Sequence, residues 1–191
     1  MEQNSVTKVK NQLRIIGGEW KRRVLPFADI DGLRPTPDRV RETLFNWLMW
    51  DIQNAKVLDL CAGSGALSFE ALSRGARHVI MVEPNLQQVK FLKENIHLLK
   101  AENCQIKAQT AQQAMASLDE KFDLVFLDPP YSLDLWTELA EKVDILLAPK
   151  AMIYVEADRA LNTLKLPAHW QLIKQSKAGV VQAGLFQKNE V

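Results

Sequence analysis

The sequence predicts an α/β fold with a mostly parallel sheet, an antiparallel hairpin at its C-terminal end, and a small β-hairpin and helix at its N-terminal end. Three observations support this prediction. From residue 56 onward, short apolar runs alternate with amphipathic stretches, which is typical of β-α-β units. A glycine-containing loop directly follows the first of these runs. The last two runs are separated by so little chain that we expect them to pair antiparallel.

Seven apolar runs predict the strands of the main sheet. In chain order they are KVLDL (56–60), HVIMVE (78–83), CQIKA (104–108), FDLVFLD (122–128), AMIYVE (151–156), WQLIKQSK (170–177) and VVQAGLFQK (180–188). Three stretches between them, 66–75, 86–100 and 133–147, are predicted to be helices. Helices that alternate with strands in this order favour a parallel sheet up to the final hairpin.

The first 50 residues predict an extension to a main domain that spans residues 51–191. The stretch LRIIGGEWKRRVLPF (13–27) has two short apolar runs on either side of Gly17 and Gly18, which indicates a β-hairpin. A helix is expected to follow, with Thr36 as its N-cap and Pro37 at its first helical position. The extension is therefore expected to be a hairpin followed by a helix.

The charge of the chain is unevenly distributed, although the formal net charge is only +1. Residues 1–41 contain nine basic and five acidic residues, a net charge of +4, whereas the remainder contains fifteen basic and eighteen acidic residues, a net charge of −3. A basic extension on a nearly neutral domain indicates a polyanionic partner.

The composition is that of a soluble globular protein, with 47% hydrophobic and 25% charged residues. No apolar run reaches the roughly 18 residues that span a bilayer, so we expect a cytoplasmic protein without membrane contact. Cys61 and Cys104 lie far apart, and no Cys or His is near them at metal-ligand spacing. We therefore expect free thiols and no metal.

The stretch VLDLCAGSGAL (57–67) has the pattern of a nucleoside-binding loop between a strand and a helix. Glycines there allow the backbone to approach a ligand, and the helix start offers free N–H groups. An acid at the end of the next strand, Glu83, could accept hydrogen bonds from ribose hydroxyls. The candidate cofactor-binding residues in this loop are Ala62, Gly63, Ser64 and Gly65. A glycine pair alone would equally suit a structural turn.

An aspartate before the glycines, Asp59, favours S-adenosylmethionine over a dinucleotide as the cofactor. A carboxylate would repel a pyrophosphate. S-adenosylmethionine has no phosphate, and it has a cationic amino group and a sulfonium, to which Asp59 could bind directly or through water. The alternative is that Asp59 only caps the turn.

The tetrad Asp128, Pro129, Pro130 and Tyr131 ends the fourth predicted strand and is the candidate catalytic motif. An exocyclic amine of a nucleobase is a weak nucleophile because its lone pair is delocalised into the ring. Acceptors on its two N–H bonds, here the Asp128 carboxylate and the Pro129 carbonyl, favour the pyramidal amine of the transition state. The prolines restrict the backbone, and Tyr131 can stack on the base.

This chemistry requires a base that is flipped out of a helix or already single-stranded, so the partner would be a nucleic acid. An ordinary strand exit through two prolines is the structural alternative for the tetrad.

These motifs together resemble class I S-adenosylmethionine-dependent methyltransferases, whose fold is Rossmann-like. The stretches RIIGGEWKRRVLPF, GLRPTPDRVRETLFNWL, VLDLCAGSGALSFEALSRGA and FDLVFLDPPY resemble the bacterial ribosomal small-subunit methyltransferase D family in particular. The resemblance runs from about residue 13 to about residue 186. It implies methylation of the N2 amine of one guanine in 16S rRNA, with the small subunit or its assembly intermediate as substrate.

The resemblance also implies further site residues. Thr36 is expected on the cofactor side, with helix capping as its alternative. The stretch AQTAQQAM lacks the acid that many relatives place beside the adenine, and Thr110 is the candidate substitute. The residues expected to contact RNA are Arg14, Trp20, Lys21, Arg22, Arg23, Arg34, Arg39 and Arg41. Basic residues on a hairpin can also simply prevent aggregation, and Trp20 can be a packing residue.

Three other functions are compatible with parts of the pattern. A DNA adenine or cytosine amino-methyltransferase would use the same tetrad, but this chain has little room for a sequence-reading domain. A nicotinamide-dependent oxidoreductase would use the glycine loop and Glu83 only. An RNA-binding assembly factor without catalysis would use only the basic extension. We expect a monomer.

Overall fold

A seven-stranded sheet lies at the centre of the computed structural model, which describes residues 11–33 and 35–189. The strands are β1 (Asn11–Arg14), β2 (Val24–Phe27), β3 (Lys56–Asp59), β4 (His78–Val82), β5 (Cys104–Lys107), β6 (Phe122–Leu127), β7 (Leu147–Ala157), β8 (Trp170–Ala178) and β9 (Val181–Lys188). The α-helices are α1 (Asp38–Trp47), α2 (Ala66–Ser73), α3 (Leu86–Leu99), α4 (Ala111–Ala116) and α5 (Trp136–Val143).

The strand order of the main sheet is β5-β4-β3-β6-β7-β9-β8. The first five strands pair in parallel, and β9 is antiparallel to both β7 and β8. The predicted fold is confirmed, including the C-terminal hairpin. From β3, the chain first adds strands on one side of the sheet, β4 and β5, and then on the other side, β6 and β7. In sheets of this type, ligands bind in the crevice outside the carboxyl ends of the two strands at this switch point, here β3 and β6.

Both faces of the sheet are covered, and alternate residues of each strand point to opposite faces. In β3, for example, Val57 lies in one buried cluster with residues of α1 and α2, whereas Leu58 lies in the other cluster with residues of α4 and α5. Neither side chain is exposed to solvent. The sheet is therefore a rigid support for the loops at its carboxyl end.

The N-terminal hairpin is present and belongs to the same core as the sheet. Strands β1 and β2 pair antiparallel, with Leu13 opposite Leu25. Both of these residues are buried, and they lie in the cluster that contains Phe45 of α1 and Leu72 of α2. The hairpin therefore has its own two-stranded sheet but shares its hydrophobic core with the main domain.

Three local features differ from the sequence prediction. Helix α1 begins at Asp38 with Pro37 as N-cap, and no side chain caps it. Helix α5 is shorter than predicted, because Asp134 adopts a left-handed φ of 47° that ends a short 3₁₀ turn, Tyr131–Leu133, before the helix starts. Helix α4 was not predicted at all, since its sequence AQQAMA is short and largely polar.

Candidate active site

Three carboxylates lie side by side at the carboxyl ends of neighbouring strands. Asp59 ends β3, and Asp128 directly follows β6. Leu127 pairs with Val155, so Asp128 and Glu156 are the next residues along β6 and β7. Each carboxyl group has a raised pKa, and burial is the largest cause in all three. This cluster of two buried acids and one half-buried acid favours a cationic ligand, because a positive charge would offset the cost of ionising them.

The glycine loop after β3 requires glycine at two positions, through its backbone conformation and its packing. Gly63 and Gly65 have φ angles of 52° and 80°, in the left-handed region where side chains are strained. A Cβ on Gly65 would lie 2.5 Å from Phe69 Cε2. The amide of Gly63 donates a 2.9 Å hydrogen bond to Glu83 Oε2, which joins the loop to the end of β4.

Glu83 is held in place by backbone groups on two sides. Its second oxygen, Oε1, accepts a 2.9 Å hydrogen bond from the amide of Asn85. Burial raises the pKa of Glu83, although these two amide hydrogen bonds act in the opposite direction. Each carboxylate oxygen still has a free lone pair. Glu83 can therefore accept ribose hydroxyls in a fixed geometry.

Asp59 lies below the glycine loop and is only 2% exposed. The Ser68 hydroxyl donates a 2.6 Å hydrogen bond to Asp59 Oδ2, and the backbone of Cys61 is a second partner. Burial nevertheless raises the pKa of Asp59 to about 7. The group is thus poised between its neutral and ionised forms near neutral pH, and a nearby cation would shift it to the carboxylate.

The remaining candidate cofactor residues have different placements. Ala62 and Ser64 are buried within the loop, and the Ala62 amide donates to the Val82 carbonyl at 2.9 Å. Thr110 is exposed and is the N-cap of α4, where its hydroxyl accepts a hydrogen bond from the Gln113 amide at 3.3 Å. The Thr110 hydroxyl therefore has a structural role that the sequence did not indicate.

The tetrad after β6 forms a bend in which only some residues face solvent. Pro129 is buried and Pro130 is exposed, whereas Asp128 and Tyr131 are half-buried. Although part of Asp128 contacts solvent, burial raises its pKa well above the usual range, and the charges of Glu156 and Asp59 raise it further. Asp128 is therefore a carboxylate whose ionisation depends on compensating positive charge.

Thr36, which was expected on the cofactor side, bonds to the catalytic candidate Asp128. Its side chain is 7% exposed and forms a hydrogen bond with Asp128, which acts to lower the pKa of that group. It does not cap α1. The segment before α1 therefore reaches the carboxyl end of β6, and the N-terminal extension contributes a residue to the site.

Sequence reasoning missed Glu156, whose carboxylate accepts the Tyr131 hydroxyl at 2.9 Å. The ring of Tyr131 also lies near that of Trp136, with 5.9 Å between the ring centres. The signal was present in AMIYVE, where an acid ends a strand beside the one that carries the tetrad. Glu156 could be recognised as a site residue only once β6 and β7 were known to be neighbours in the sheet.

Arg41 cannot contact RNA in this structure, which corrects the sequence prediction. The side chain is only 1% exposed, and its guanidinium donates to the carbonyl oxygens of Thr36 and Arg14 at 3.0 and 2.9 Å. It also contacts the carboxylates of Asp38 and Glu70. Arg41 is a buried structural residue that joins β1, α1, α2 and the Thr36 segment.

The other candidate RNA-binding residues differ in how accessible they are. Four basic residues are exposed, namely Lys21, Arg22, Arg23 and Arg39. Arg14 is also exposed, and it pairs with Asp38 at 3.1 Å. Trp20 is half-buried against the core, as the packing alternative anticipated. Arg34 lies outside the described residues.

The two cysteines are free thiols, and both are half-buried. Burial raises the pKa of Cys104 to about 11 and that of Cys61 well above its usual range, so both thiols stay protonated at neutral pH. Among residues 11–33 and 35–189, no three His, Cys, Asp or Glu side chains are grouped so that they could hold a metal ion. Within the same ranges, no helix has the length and apolarity needed to cross a membrane.

Comparison with known proteins identifies the family to which this site belongs. The family model "Conserved hypothetical protein 95" matches residues 13–187. The Escherichia coli protein named ribosomal RNA small subunit methyltransferase D is 42% identical over 182 residues, which is 93% of this chain and 90% of the relative. The chain belongs to the ribosomal RNA small subunit methyltransferase D family.

Other members of the methyltransferase D family extend this match over the whole fold. The Haemophilus influenzae relative of the same name is 40% identical over 197 residues, which is 98% of this chain and 100% of the relative. The solved structure of yhhF from Escherichia coli superposes with a TM-score of 0.86 at 42% identity, and the match covers 94% of this chain and 99% of that one.

The cofactor of this methyltransferase D family member is S-adenosylmethionine. The residues present fit that molecule. The left-handed turn at Gly63 and Gly65 holds the loop backbone beside Glu83, Glu83 has free lone pairs for ribose hydroxyls, and buried Asp59 matches a cationic ligand without phosphate. Family membership leaves the oxidoreductase alternative without support, and it makes the chain an enzyme rather than only an RNA-binding factor.

Proposed function

We propose that this enzyme methylates the exocyclic N2 amine of one guanine in 16S rRNA of the small ribosomal subunit. The observation that supports this proposal best is the position of Asp128 and Tyr131, which lie beside the glycine loop at the carboxyl end of β6. An acceptor and an aromatic ring at that place suit a planar base that has an amine to be methylated. The rRNA substrate is inferred from the names of the relatives.

The residues of the tetrad act on the amine and not on the cofactor. The Asp128 carboxylate and the Pro129 carbonyl accept hydrogen bonds from the two N–H groups, which localises the lone pair on nitrogen. S-adenosylmethionine, when bound, supplies a methyl group on a positively charged sulfur. The amine nitrogen attacks the methyl carbon in line with the carbon–sulfur bond, which breaks as the nitrogen–carbon bond forms. The methylated nitrogen then carries a positive charge and loses a proton readily, so Asp128 need not remove one beforehand.

The electrostatics of the site support an ionised Asp128 in the complex. In the free protein, burial and the neighbouring charges of Glu156 and Asp59 raise the pKa of Asp128. A cationic cofactor beside Asp59 would lower that pKa again, because an opposite charge stabilises a carboxylate. Cofactor binding would thereby prepare the acceptor that the amine needs.

We infer that residues 1–50 form an RNA-binding arm on a methyltransferase domain of residues 51–191. The exposed basic residues Lys21, Arg22, Arg23 and Arg39, together with Arg14, are placed to contact phosphates. Trp20 and Arg34 remain candidates for RNA contact. The base must be flipped or single-stranded to reach Tyr131. A ribosomal substrate implies that the enzyme acts in the cytoplasm, either on the assembled subunit or on an assembly intermediate, and we infer that it does so as a monomer.

The experiment that tests this function is a comparison of 16S rRNA from cells with and without the gene. Mass spectrometry of nuclease fragments should show one N2-methylguanosine that disappears with the gene and returns when the gene is restored. Purified enzyme should then transfer labelled methyl groups to small subunits from the deletion strain. Label that enters duplex DNA only would support the DNA amino-methyltransferase alternative and overturn this proposal.

A further inference from the structure

Glu156 is a buried carboxylate whose two oxygens are both bound by tyrosine hydroxyls. Its side chain is 5% exposed and lies beside Asp128 at the end of β7. The Tyr131 hydroxyl donates to Oε1 at 2.9 Å, and the Tyr154 hydroxyl donates to Oε2 at 2.8 Å. A buried carboxylate with both oxygens bound has a fixed orientation, so any group bonded to it is fixed as well.

The backbone of Glu156 holds a second aromatic ring. The indole Nε1 of Trp136 donates a 2.8 Å hydrogen bond to the Glu156 carbonyl, and the Trp136 side chain is fully buried. The rings of Trp136 and Tyr131 are inclined by 31°. The guanidinium of Arg159 lies over the Trp136 ring, 4.7 Å from the ring centre. One residue at a strand end therefore fixes Tyr131 through its side chain and the ring beside Tyr131 through its backbone.

Tyr131 depends on this tether because its own segment gives it little support. It begins the 3₁₀ turn Tyr131–Leu133, in which no residue is buried. The turn ends at Asp134, whose exposed side chain pairs with Arg159 at 2.8 Å. The ring of Tyr131 packs from one side against the buried cluster that contains Trp136, and the hydrogen bond to Glu156 fixes the position of its hydroxyl. A misplacement of about 1 Å at a reacting group can reduce a rate by about 100-fold.

We propose that Glu156 is a positioning residue for methyl transfer, which acts through the hydroxyl of Tyr131 to hold the plane of the target base. The proposal rests on the proposed function, in which Tyr131 stacks on that base. Glu156 does not touch the base in this account. A phenylalanine at position 131 could stack but could not be held in this way.

A double-mutant cycle between Glu156 and Tyr131 tests the proposal by kinetics. We expect Glu156→Ala and Tyr131→Phe each to lower kcat by about tenfold, and the double variant to be no slower than either alone. The dissociation constant of the cofactor should stay unchanged. If Glu156→Ala does not fold, Glu156→Leu, which nearly keeps the side-chain volume and has no acceptor, replaces it in the cycle.

Tyr154 provides a matched control, because it donates the other hydroxyl to the same carboxylate from a fully buried position. If Glu156 only stabilised the fold, Tyr154→Phe and Tyr131→Phe would have the same effect. The proposal instead expects Tyr154→Phe to lower kcat less than Tyr131→Phe does, because it frees one oxygen of Glu156 but leaves the hydrogen bond to Tyr131 in place. Independent effects of Glu156→Ala and Tyr131→Phe, which multiply in the double variant, would overturn the proposal.

A second measurement does not depend on activity. The chain has only two tyrosines, so fluorotyrosine labelling gives two ¹⁹F resonances that the two Phe variants assign. In Glu156→Leu we expect the Tyr131 resonance to shift, because its hydroxyl loses the carboxylate that accepts its hydrogen bond. An unchanged Tyr131 resonance would overturn the proposal.

The two measurements separate failure of this proposal from failure of the proposed function. If the wild-type enzyme leaves small-subunit rRNA unmethylated, the proposed function fails, and the proposed role in methyl transfer fails with it even if the fluorine resonances behave as expected. If the wild type is active but the cycle shows no coupling, only the role of Glu156 fails.

Discussion

At Asp59, burial decides how the cofactor site responds to pH. The residue is 2% exposed, and its pKa of about 7 lies above the usual value because the ionised form is deprived of hydration. Between about pH 4 and pH 7, Asp59 is therefore protonated in the folded protein but ionised in the unfolded chain. Asp59 consequently lowers the free energy of unfolding as the pH rises through this interval.

The first prediction is that cofactor binding releases a proton from Asp59. A cationic ligand favours the carboxylate, so calorimetry at about pH 6.5, just below the pKa, in buffers of different ionisation enthalpy should detect proton release by the wild-type enzyme. Asp59→Asn should reduce that release, leaving only the part that comes from Asp128, and should weaken cofactor binding by about tenfold or more, as expected for loss of a charged hydrogen bond. Equal proton release by the variant would show that another group titrates.

The neighbouring acids illustrate how much of the site can be predicted from sequence. Asp59, Glu83 and Asp128 each follow an apolar run, so their place at a strand end was predictable. The hydrogen bond between Thr36 and Asp128 was not, because it joins residues that are far apart in sequence through a segment with no regular structure. Glu156 was missed for a similar reason, since only the strand order makes it a neighbour of Asp128.

At the level of elements, one buried acid holds the turn of the hairpin against helix α2. Glu70 of α2 is fully buried, and its carboxylate accepts hydrogen bonds from the amides of Ile16 and Gly17 at 2.9 and 2.8 Å. Arg74 donates to the same carboxylate at 2.8 Å, and Arg41 lies 3.5 Å from it. Two amide hydrogen bonds to Glu70 thus fix the turn of the hairpin on the helix that follows the glycine loop, and the two arginines balance the charge of Glu70.

The second prediction compares two arginines of α1 that differ in burial. Arg41→Ala leaves Glu70 with one fewer cation and two carbonyls without a donor, so it should lower the free energy of unfolding by about 3 kcal/mol or more. Arg39 is exposed, and Arg39→Ala should change that free energy by less than about 0.5 kcal/mol. Urea denaturation measures both. Similar losses in the two variants would contradict the structural role given to Arg41.

The strands were easier to predict than the short helices, and the reason is physical. Buried strands of a parallel sheet need continuous apolar runs, which are visible in the sequence. Helix α4 has six residues and depends on its Thr110 cap, so it has almost no periodic signal. The start of α5 depends on the left-handed backbone at Asp134, and no residue type specifies that conformation strictly.

At the level of the whole molecule, the charge distribution predicts how RNA binds. The third prediction is that replacing Lys21, Arg22 and Arg23 together by alanine weakens binding to small subunits. The variant should also have a shallower dependence of log K on log salt concentration, by about one unit of slope for each phosphate that is no longer neutralised. Because these side chains are exposed, the stability of the protein should be unchanged.

A matched control removes three exposed lysines from the other end of the chain, namely Lys165, Lys174 and Lys177. This variant has the same change in net charge as the arm variant. If both variants bind more weakly to the same extent, binding depends only on overall charge, and the arm has no specific role. Binding by filter retention at several salt concentrations gives the comparison.

The most direct test of the central claim, that Asp128 activates the amine, is single-turnover methyl transfer by Asp128→Ala. With labelled cofactor and small subunits from the deletion strain, we expect the rate to fall by about 100-fold to 1000-fold, because a preorganised acceptor is removed. The dissociation constant of the cofactor should change little, and Asp119→Ala, which alters an exposed acid before β6, should retain the wild-type rate. Methyl transfer by Asp128→Ala at the wild-type rate would contradict the account.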